Sequence, residues 1–530
     1  GGLRGIIGAG TNRINKYVIH RATQGIADYI IKYAGEQGMA RGVAIAYDCR
    51  YFSDFFALEA ALVFAANGIK AYLFDELRPT PELSFAVRHL GAIAGVNITA
   101  SHNPPKYNGY KVYWEDGGQL PPSVSDKVLD YINETPFFSP KTIEKEVALQ
   151  KGLLEYIGSS VDNAFINEVY KQSVNPDAIA RVADEFKLIY TPLHGSGNKP
   201  VRAILNKAGF KNVLVVKEQE QPDSAFSTVA SPNPENRDCF DLAVELAKKE
   251  NVNLIIGTDP DADRVGIVVK NTQGEYVSMS GNQVGAMLTH YVLSAKKERG
   301  LLASNAAVVS TIVSTKMTGA ICKAFGVNYF ETLTGFKFIG EKILEFESNN
   351  SFEYVFGFEE SYGYLAGTHA RDKDAVVASM LIAEMAAYYH EKGKTLYEVM
   401  DEMYSQYGGF AEDTVSITME GIDGLEKITE IMQSLRDNKP HKICDFDVLS
   451  IRDYKVGKSY NIVGGGESKL ELPTSDVLYF ELSGGASFVT RPSGTEPKIK
   501  LYYLTQGETQ EDAIRSLDAV KKAVATCLKY

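Results

Sequence analysis

Residues 43–74 read VAIAYDCRYFSDFFALEAALVFAANGIKAYLF, and this stretch decides the fold class. Its first five residues form a continuous apolar run of strand length, residues 57–67 predict a helix, and residues 71–74 predict a second strand. Strand, helix and strand in so short a span make a βαβ unit, which implies parallel pairing and helices packed on the sheet. The same rhythm returns at 188–190, 200–208 and 213–216, and a third time at 307–312 and 316–325. No fixed residue period relates the three modules, so they are domains in series and not a solenoid. After about residue 420 the character changes. Strands at 477–482 and 498–504 flank a loop and a helix follows at 511–528, the pattern of a smaller α+β domain with an antiparallel sheet. The expected architecture is α/β: three similar α/β domains with mixed sheets at 1–180, 181–300 and 301–418, then an α+β domain at 419–530.

With 530 residues the chain is too long for one core. Its 45% hydrophobic and 23% charged residues are ordinary for a globular protein, and no apolar run approaches the ~20 residues of a membrane helix. A net charge of -12 argues against nucleic-acid binding, which needs a basic face. An anionic small substrate stays allowed, because a cleft can be locally positive. The five cysteines are odd in number, scattered and without a C-x-x-C pair, which excludes a zinc ribbon, argues against a disulfide framework and fits a reducing cytoplasm. The chain opens Gly-Gly, so its natural start is expected to lie upstream, and no secretory signal is visible in it.

Four loops carry chemistry. The first, Thr99-Ala100-Ser101-His102-Asn103-Pro104-Pro105, follows an apolar run and precedes Asn108-Gly109-Tyr110-Lys111. A serine hydroxyl is a weak nucleophile until a base, cation or metal activates it, and here His102 is adjacent and Lys111 close by. The second, Asp259-Pro260-Asp261-Ala262-Asp263-Arg264, leaves a strand over 253–258. Three alternate carboxylates would repel one another unless they converged on a hard cation; Mg²⁺ suits, since three oxygens leave room for water and a phosphate that Arg264 could also meet. An EF-hand fails because Arg264 stands where glycine is required and Lys270 where glutamate is. The aspartyl-nucleophile motif D-x-D-x-T/V fits less well, because its fifth position is Asp263.

The third loop, Gly357-Phe358-Glu359-Glu360-Ser361-Tyr362-Gly363, offers the acceptors that vicinal sugar hydroxyls need, and Arg371-Asp372-Lys373-Asp374 follows with cations for an anion. The fourth, Arg491-Pro492-Ser493-Gly494-Thr495-Glu496-Pro497-Lys498, combines a guanidinium fork, two hydroxyls and glycine-permitted backbone N–H groups into a phosphate nest. Two apparent motifs fail: Gly457-Lys458-Ser459 lacks the first P-loop glycine, and Gly8-Ala9-Gly10 lacks the third glycine of a dinucleotide fingerprint. Neither ATP nor NAD is supported.

Serine loop, tri-aspartate loop, Glu/Ser loop and Arg/Ser/Thr loop, in this order over the whole chain, resemble the α-D-phosphohexomutase superfamily (phosphoglucomutases and phosphomannomutases). The resemblance implies four domains around a central cleft and Ser101 as a phosphoserine. It implies Mg²⁺ held by Asp259, Asp261, Asp263 and a Ser101 phosphate oxygen, with Lys111 and His102 in acid–base work. Glu359 and Ser361 would hold sugar hydroxyls, while Arg491, Ser493, Gly494 and Thr495 would hold the non-reacting phosphate. Arg4 lies in a Gly-Leu-Arg-Gly string like the family's amino-terminal G-x-R-G. Thr332-Leu333-Thr334-Gly335-Phe336-Lys337 looks like the loop that distinguishes sugar orientations, and Lys373 matches a phosphate-contacting lysine. The implied reaction interconverts sugar 1-phosphate and 6-phosphate, glucose or mannose, through a bisphosphate that is also needed in catalytic amounts as activator. Lys111 and Arg264 would assist electrostatically. The expected partner is the phosphosugar alone, with no nucleic acid or membrane, and the chain a monomer or dimer. Gly-Phe-Glu-Glu-Ser-Tyr-Gly departs from the mannose-type sugar loop and, with Thr-Leu-Thr-Gly-Phe-Lys, lies closer to the phosphoglucomutase branch that includes phosphopentomutase-like members. A phosphopentomutase, a sugar-bisphosphate synthase, an Asp259-nucleophile enzyme and a non-catalytic binder stand as alternatives.

Overall fold

The computed structural model describes residues 2–419, 422–493 and 498–528. The chain forms two compact units, Gly1–Val309 with Gly335–Glu398, and Ser310–Thr334 with Val399–Tyr530.

Within the first unit, the expected βαβ unit is present. Val43–Tyr47 pairs in parallel with Ala71–Phe74 on one side and with Ala94–Ile98 on the other. These three strands are buried on both faces, which is why they read as largely apolar runs. The intervening helix is Ser53–Ala66, four residues longer at its start than the sequence suggests. Its first turn is fixed from outside: the Ser53 hydroxyl donates to Asp48 (2.8 Å) and accepts from Asn108 (3.0 Å). The sheet runs in the order Gly2–Ile6, Tyr107–Trp114, Ala94–Ile98, Val43–Tyr47, Ala71–Phe74, Leu154–Ile157. Its first three strands pair antiparallel, so the sheet is mixed.

A second sheet has the order Tyr276–Met279, Val265–Lys270, Leu254–Thr258, Lys187–Thr191, Asn212–Val215. Leu254–Thr258 is parallel to Lys187–Thr191 and antiparallel to Val265–Lys270, again a mixed arrangement. Ala94–Ile98 runs into the serine loop and Leu254–Thr258 into the aspartate loop. Both therefore leave the carboxyl ends of parallel strands, where α/β folds place ligands. The hairpin Glu353–Glu359 with Gly363–Ala366 carries the Glu/Ser loop at its turn.

In the second unit, an antiparallel sheet joins Gly409–Thr418, Lys498–Gly507, Ser487–Pro492, Leu478–Leu482 and Phe446–Asp453 in that order, then two short polar strands. Helices Ile422–Asn438 and Gln510–Leu528 cover an apolar core that includes Phe480 and Phe488, stacked at 4.4 Å. This is the expected antiparallel α+β module. Among the described residues, no helix is long and apolar enough to cross a membrane.

Candidate functional site

Ser101 is the second residue of a tight turn and has φ +52, the left-handed region that L-residues enter only when their surroundings enforce it. Those surroundings are visible. The Ser101 N–H donates to Thr99 Oγ1 (2.8 Å), whose hydroxyl donates to Asp48 Oδ2 (2.6 Å). Arg50, paired with Asp48, directs its guanidinium at the carbonyls of Ser101, Asn103, Pro104 (3.0 Å) and Tyr107 (3.1 Å). Gly109 lets the backbones close in, since a Cβ there would lie 2.6 Å from both Leu3 O and Thr99 O.

So held, the buried Ser101 hydroxyl donates to Asp259 Oδ2 at 2.8 Å and lies 3.2 Å from His102 Nδ1. Asp259 Oδ1 accepts from the backbone N–H groups of Asp263 (3.1 Å) and Arg264 (3.0 Å), which closes the aspartate loop on itself. Lys111 reaches Asp261 Oδ2 (2.6 Å) and Asp263 Oδ2 (3.1 Å), and Lys373 stands 3.3 Å from Asp263 Oδ2. Thr80 Oγ1 donates to Asp261 Oδ2 at 2.8 Å and accepts from Asn97 at 2.7 Å. The loop 192–197 backs the aspartates: Ser196 donates to Pro260 O from both N–H and hydroxyl, and a Cβ on Gly195 would fall 2.5 Å from Pro260 Cα. Leu193 and His194 in that loop have φ +44 and +64.

The three aspartates suit a divalent cation. One oxygen of each lies within 4.8 Å of the others, all three residues are buried, and Asp261 Oδ1 and Asp263 Oδ1 have no hydrogen-bond partner. An oxygen-only, anionic donor set of this kind prefers Mg²⁺ or Ca²⁺ over softer metals. Electrostatics agree. Burial, then repulsion from Asp261 and Asp263, pushes the Asp259 carboxyl far above its ordinary range. Burial also opposes ionisation of Asp261, yet Lys111 and Thr80 hold it below the usual carboxylate range. Asp263 is likewise held low, against burial and Asp261, by Lys111, Lys373 and Arg264. Lys111 and Lys373 thus supply the countercharge that holds Asp261 and Asp263 low, while the Asp259 carboxyl resists ionisation. Lys111 itself resists the downward pull of burial, because Asp261 and Asp263 raise it and keep it charged. Burial, then Arg264 and Arg4, pushes His102 well below its usual value, so its imidazole is neutral.

The other expected residues of this unit have their own partners. Arg264 pairs with Glu235, and its buried Nε has no hydrogen-bond partner. Arg4 donates to Asn103 Oδ1 at 3.3 Å. Glu359 is buried and accepts from the Gly335 N–H at 2.7 Å, which joins two of the loops expected to hold the sugar. Burial raises the Glu359 carboxyl, against Lys373 and that hydrogen bond. Ser361 is half-buried in the same hairpin turn, which the Val265 N–H anchors through Tyr362 O (3.1 Å). Arg371, grouped in the sequence with Lys373 as a cation for an anion, is buried and paired with Glu347. In the second unit, Thr334 and Arg491 are half-buried, Arg491 sits opposite Lys500, and the Ser493 N–H donates to Lys498 O at 2.8 Å. Gly494 and Thr495 lie outside the described residues.

Models of the phosphoglucomutase/phosphomannomutase α/β/α domains I, II and III match residues 1–138, 163–274 and 280–407. A phosphoglucomutase of Staphylococcus saprophyticus is 36% identical over 521 residues, 98% of this chain and 92% of that one. A phosphoglucomutase of Staphylococcus epidermidis is 38% identical over 502 residues, 94% and 89% of the two chains. The open form of parafusin, a phosphoglucomutase from Paramecium, has a TM-score of 0.71 at 16% identity and covers 100% of this chain and 96% of that one, which shows a shared fold.

Proposed function

The chain belongs to the phosphoglucomutase/phosphomannomutase family and is a phosphosugar mutase, and we propose that it interconverts glucose 1-phosphate and glucose 6-phosphate through phosphorylated Ser101. The observation that carries this reading is a strained, buried serine hydroxyl bonded to one of three converging aspartates, with Lys111 bridging the other two. Both Asp259 oxygens already accept hydrogen bonds, which favours Ser101 over Asp259 as the phosphate carrier.

In this reading the free hydroxyl oxygen of the sugar monophosphate attacks the phosphorus on Ser101. The bond to Ser101 Oγ breaks, and the hydroxyl proton passes to His102 Nδ1. The sugar bisphosphate turns over, its other phosphoryl group returns to Ser101 Oγ, and the proton goes back to the departing sugar oxygen. His102 suits this task because it is neutral, and Lys111, held charged, stabilises the transferring phosphoryl group alongside Arg264 and Arg4. Mg²⁺, held by Asp259, Asp261, Asp263 and Ser101, would neutralise charge on that group. Glu359, Ser361, Thr334 and Gly335 take the sugar hydroxyls. Lys373, Arg491, Ser493, Gly494 and Thr495 take the phosphate that is not reacting. A trace of sugar 1,6-bisphosphate primes Ser101, and the enzyme acts in the cytoplasm on a small molecule, as a monomer or dimer.

Coupled assays with Mg²⁺ and trace bisphosphate on glucose 1-phosphate, mannose 1-phosphate and ribose 1-phosphate test the reading. The highest kcat/KM is expected for glucose 1-phosphate. A lead for ribose 1-phosphate would make the chain a pentomutase, and net release of bisphosphate a synthase.

A further inference from the structure

Cys444 and Cys527 place their sulfurs 3.7 Å apart on the surface of the second unit, and we propose that they form a reversible redox site that a small-molecule disulfide oxidises to a protein disulfide. Cys444 sits in the turn between strands Lys442–Ile443 and Phe446–Asp453 and has φ +50. Glycine or asparagine would fill that position with less strain, yet the chain places a thiol there and aims it at a second one. Cys527 lies in the last turn of helix Gln510–Leu528, four residues beyond Ala523, whose carbonyl is 3.6 Å from Cys444 Sγ.

Packing has already fixed the two elements against each other. Ile443 and Val448 of the hairpin share one apolar core with Val520, Ala523 and Val524 of the helix. Closing to a bond of about 2.0 Å therefore starts from sulfurs already 3.7 Å apart on elements that share a core. The other cysteines do not compete. Cys49, Cys239 and Cys322 are buried, out of reach of a small-molecule disulfide, whereas Cys444 and Cys527 are exposed.

The chemistry is thiol–disulfide exchange. One cysteine thiolate attacks a sulfur of the small disulfide and releases one small thiol. The second cysteine thiolate then attacks the mixed disulfide and releases the other. The pair loses two electrons and two protons, and the small disulfide becomes two thiols. The bridge ties the C-terminal helix to the hairpin and closes a loop holding most of the unit's antiparallel sheet, so it restricts the unfolded chain and raises Tm.

The test treats the full-length, reduced chain with oxidised glutathione and counts thiols after denaturation. Five are expected before treatment and three after, with one cross-linked peptide joining positions 444 and 527, a raised Tm, and full reversal by dithiothreitol. Cys527→Ser, an exposed and conservative change, should show neither the cross-link nor the Tm rise. Retention of all five thiols, a bridge through Cys49, Cys239 or Cys322, or glutathione left on either cysteine without a bridge would overturn the proposal.

Discussion

Arg50 holds the serine turn by its backbone. One buried guanidinium meets the carbonyls of Ser101, Asn103, Pro104 and Tyr107 while its charge is balanced by Asp48. A fork that serves four carbonyls cannot be replaced by a point charge. Arg50→Met should therefore lower kcat by about 100-fold, the scale of a misplacement near 1 Å, with little change in KM. Arg50→Lys should recover only part of it. Circular dichroism and Tm of each variant separate misplacement from unfolding, and a wild-type kcat in folded Arg50→Met would contradict the assignment.

At this same scale, the sequence exposes some of the site and hides the rest. Ser101 and the three aspartates stand in compact runs whose residue types make chemical sense by themselves. Asp48, Arg50, Thr80 and Asn97 do not, because each acquires its role from a partner remote in the chain; Thr80 and Asp261 are 181 positions apart. The loop 192–197 could have been noticed, since two glycines follow the end of a buried strand, but nothing local says that it braces Pro260.

Strand Gly409–Thr418 carries a carboxylate on which the second unit's pH response turns. Glu412, within this strand, has its carboxyl pushed up to about 7 by burial, with Thr315 and Lys316 only partly opposing. A carboxyl that binds its proton more tightly when folded stabilises the fold at low pH. Its contribution is complete below the ordinary value of 4.5 and is lost as pH rises through about 7. Thermal melts from pH 5 to 8 should show Tm falling, and Glu412→Gln should flatten the fall. An unchanged slope in Glu412→Gln would remove Glu412 as its source. Strands of this sheet differ in legibility for a physical reason. Leu478–Leu482 and Lys498–Gly507 bury apolar side chains and announce themselves, whereas Lys458–Asn461 and Glu467–Lys469 are short, polar and largely exposed, with no periodicity to read.

For the molecule as a whole, the βα modules of the first two sheets were readable because their central parallel strands, Val43–Tyr47 and Lys187–Thr191, are largely buried apolar runs, and the change to an antiparallel C-terminal sheet left its own mark. A cation held by the three converging aspartates would bind the folded chain and not the unfolded one, which couples metal binding to the stability of the fold. Mg²⁺ is expected to raise the wild-type Tm and to do so less in Asp261→Asn; equal shifts in both would place the metal elsewhere. The most direct test of the account is peptide mass mapping of the enzyme quenched in acid during turnover of glucose 1-phosphate with trace bisphosphate. Acid-stable phosphate on Ser101, with no turnover in Ser101→Ala, is the result the account predicts. An unmodified Ser101, or an acid-labile phosphate on Asp259, would contradict it.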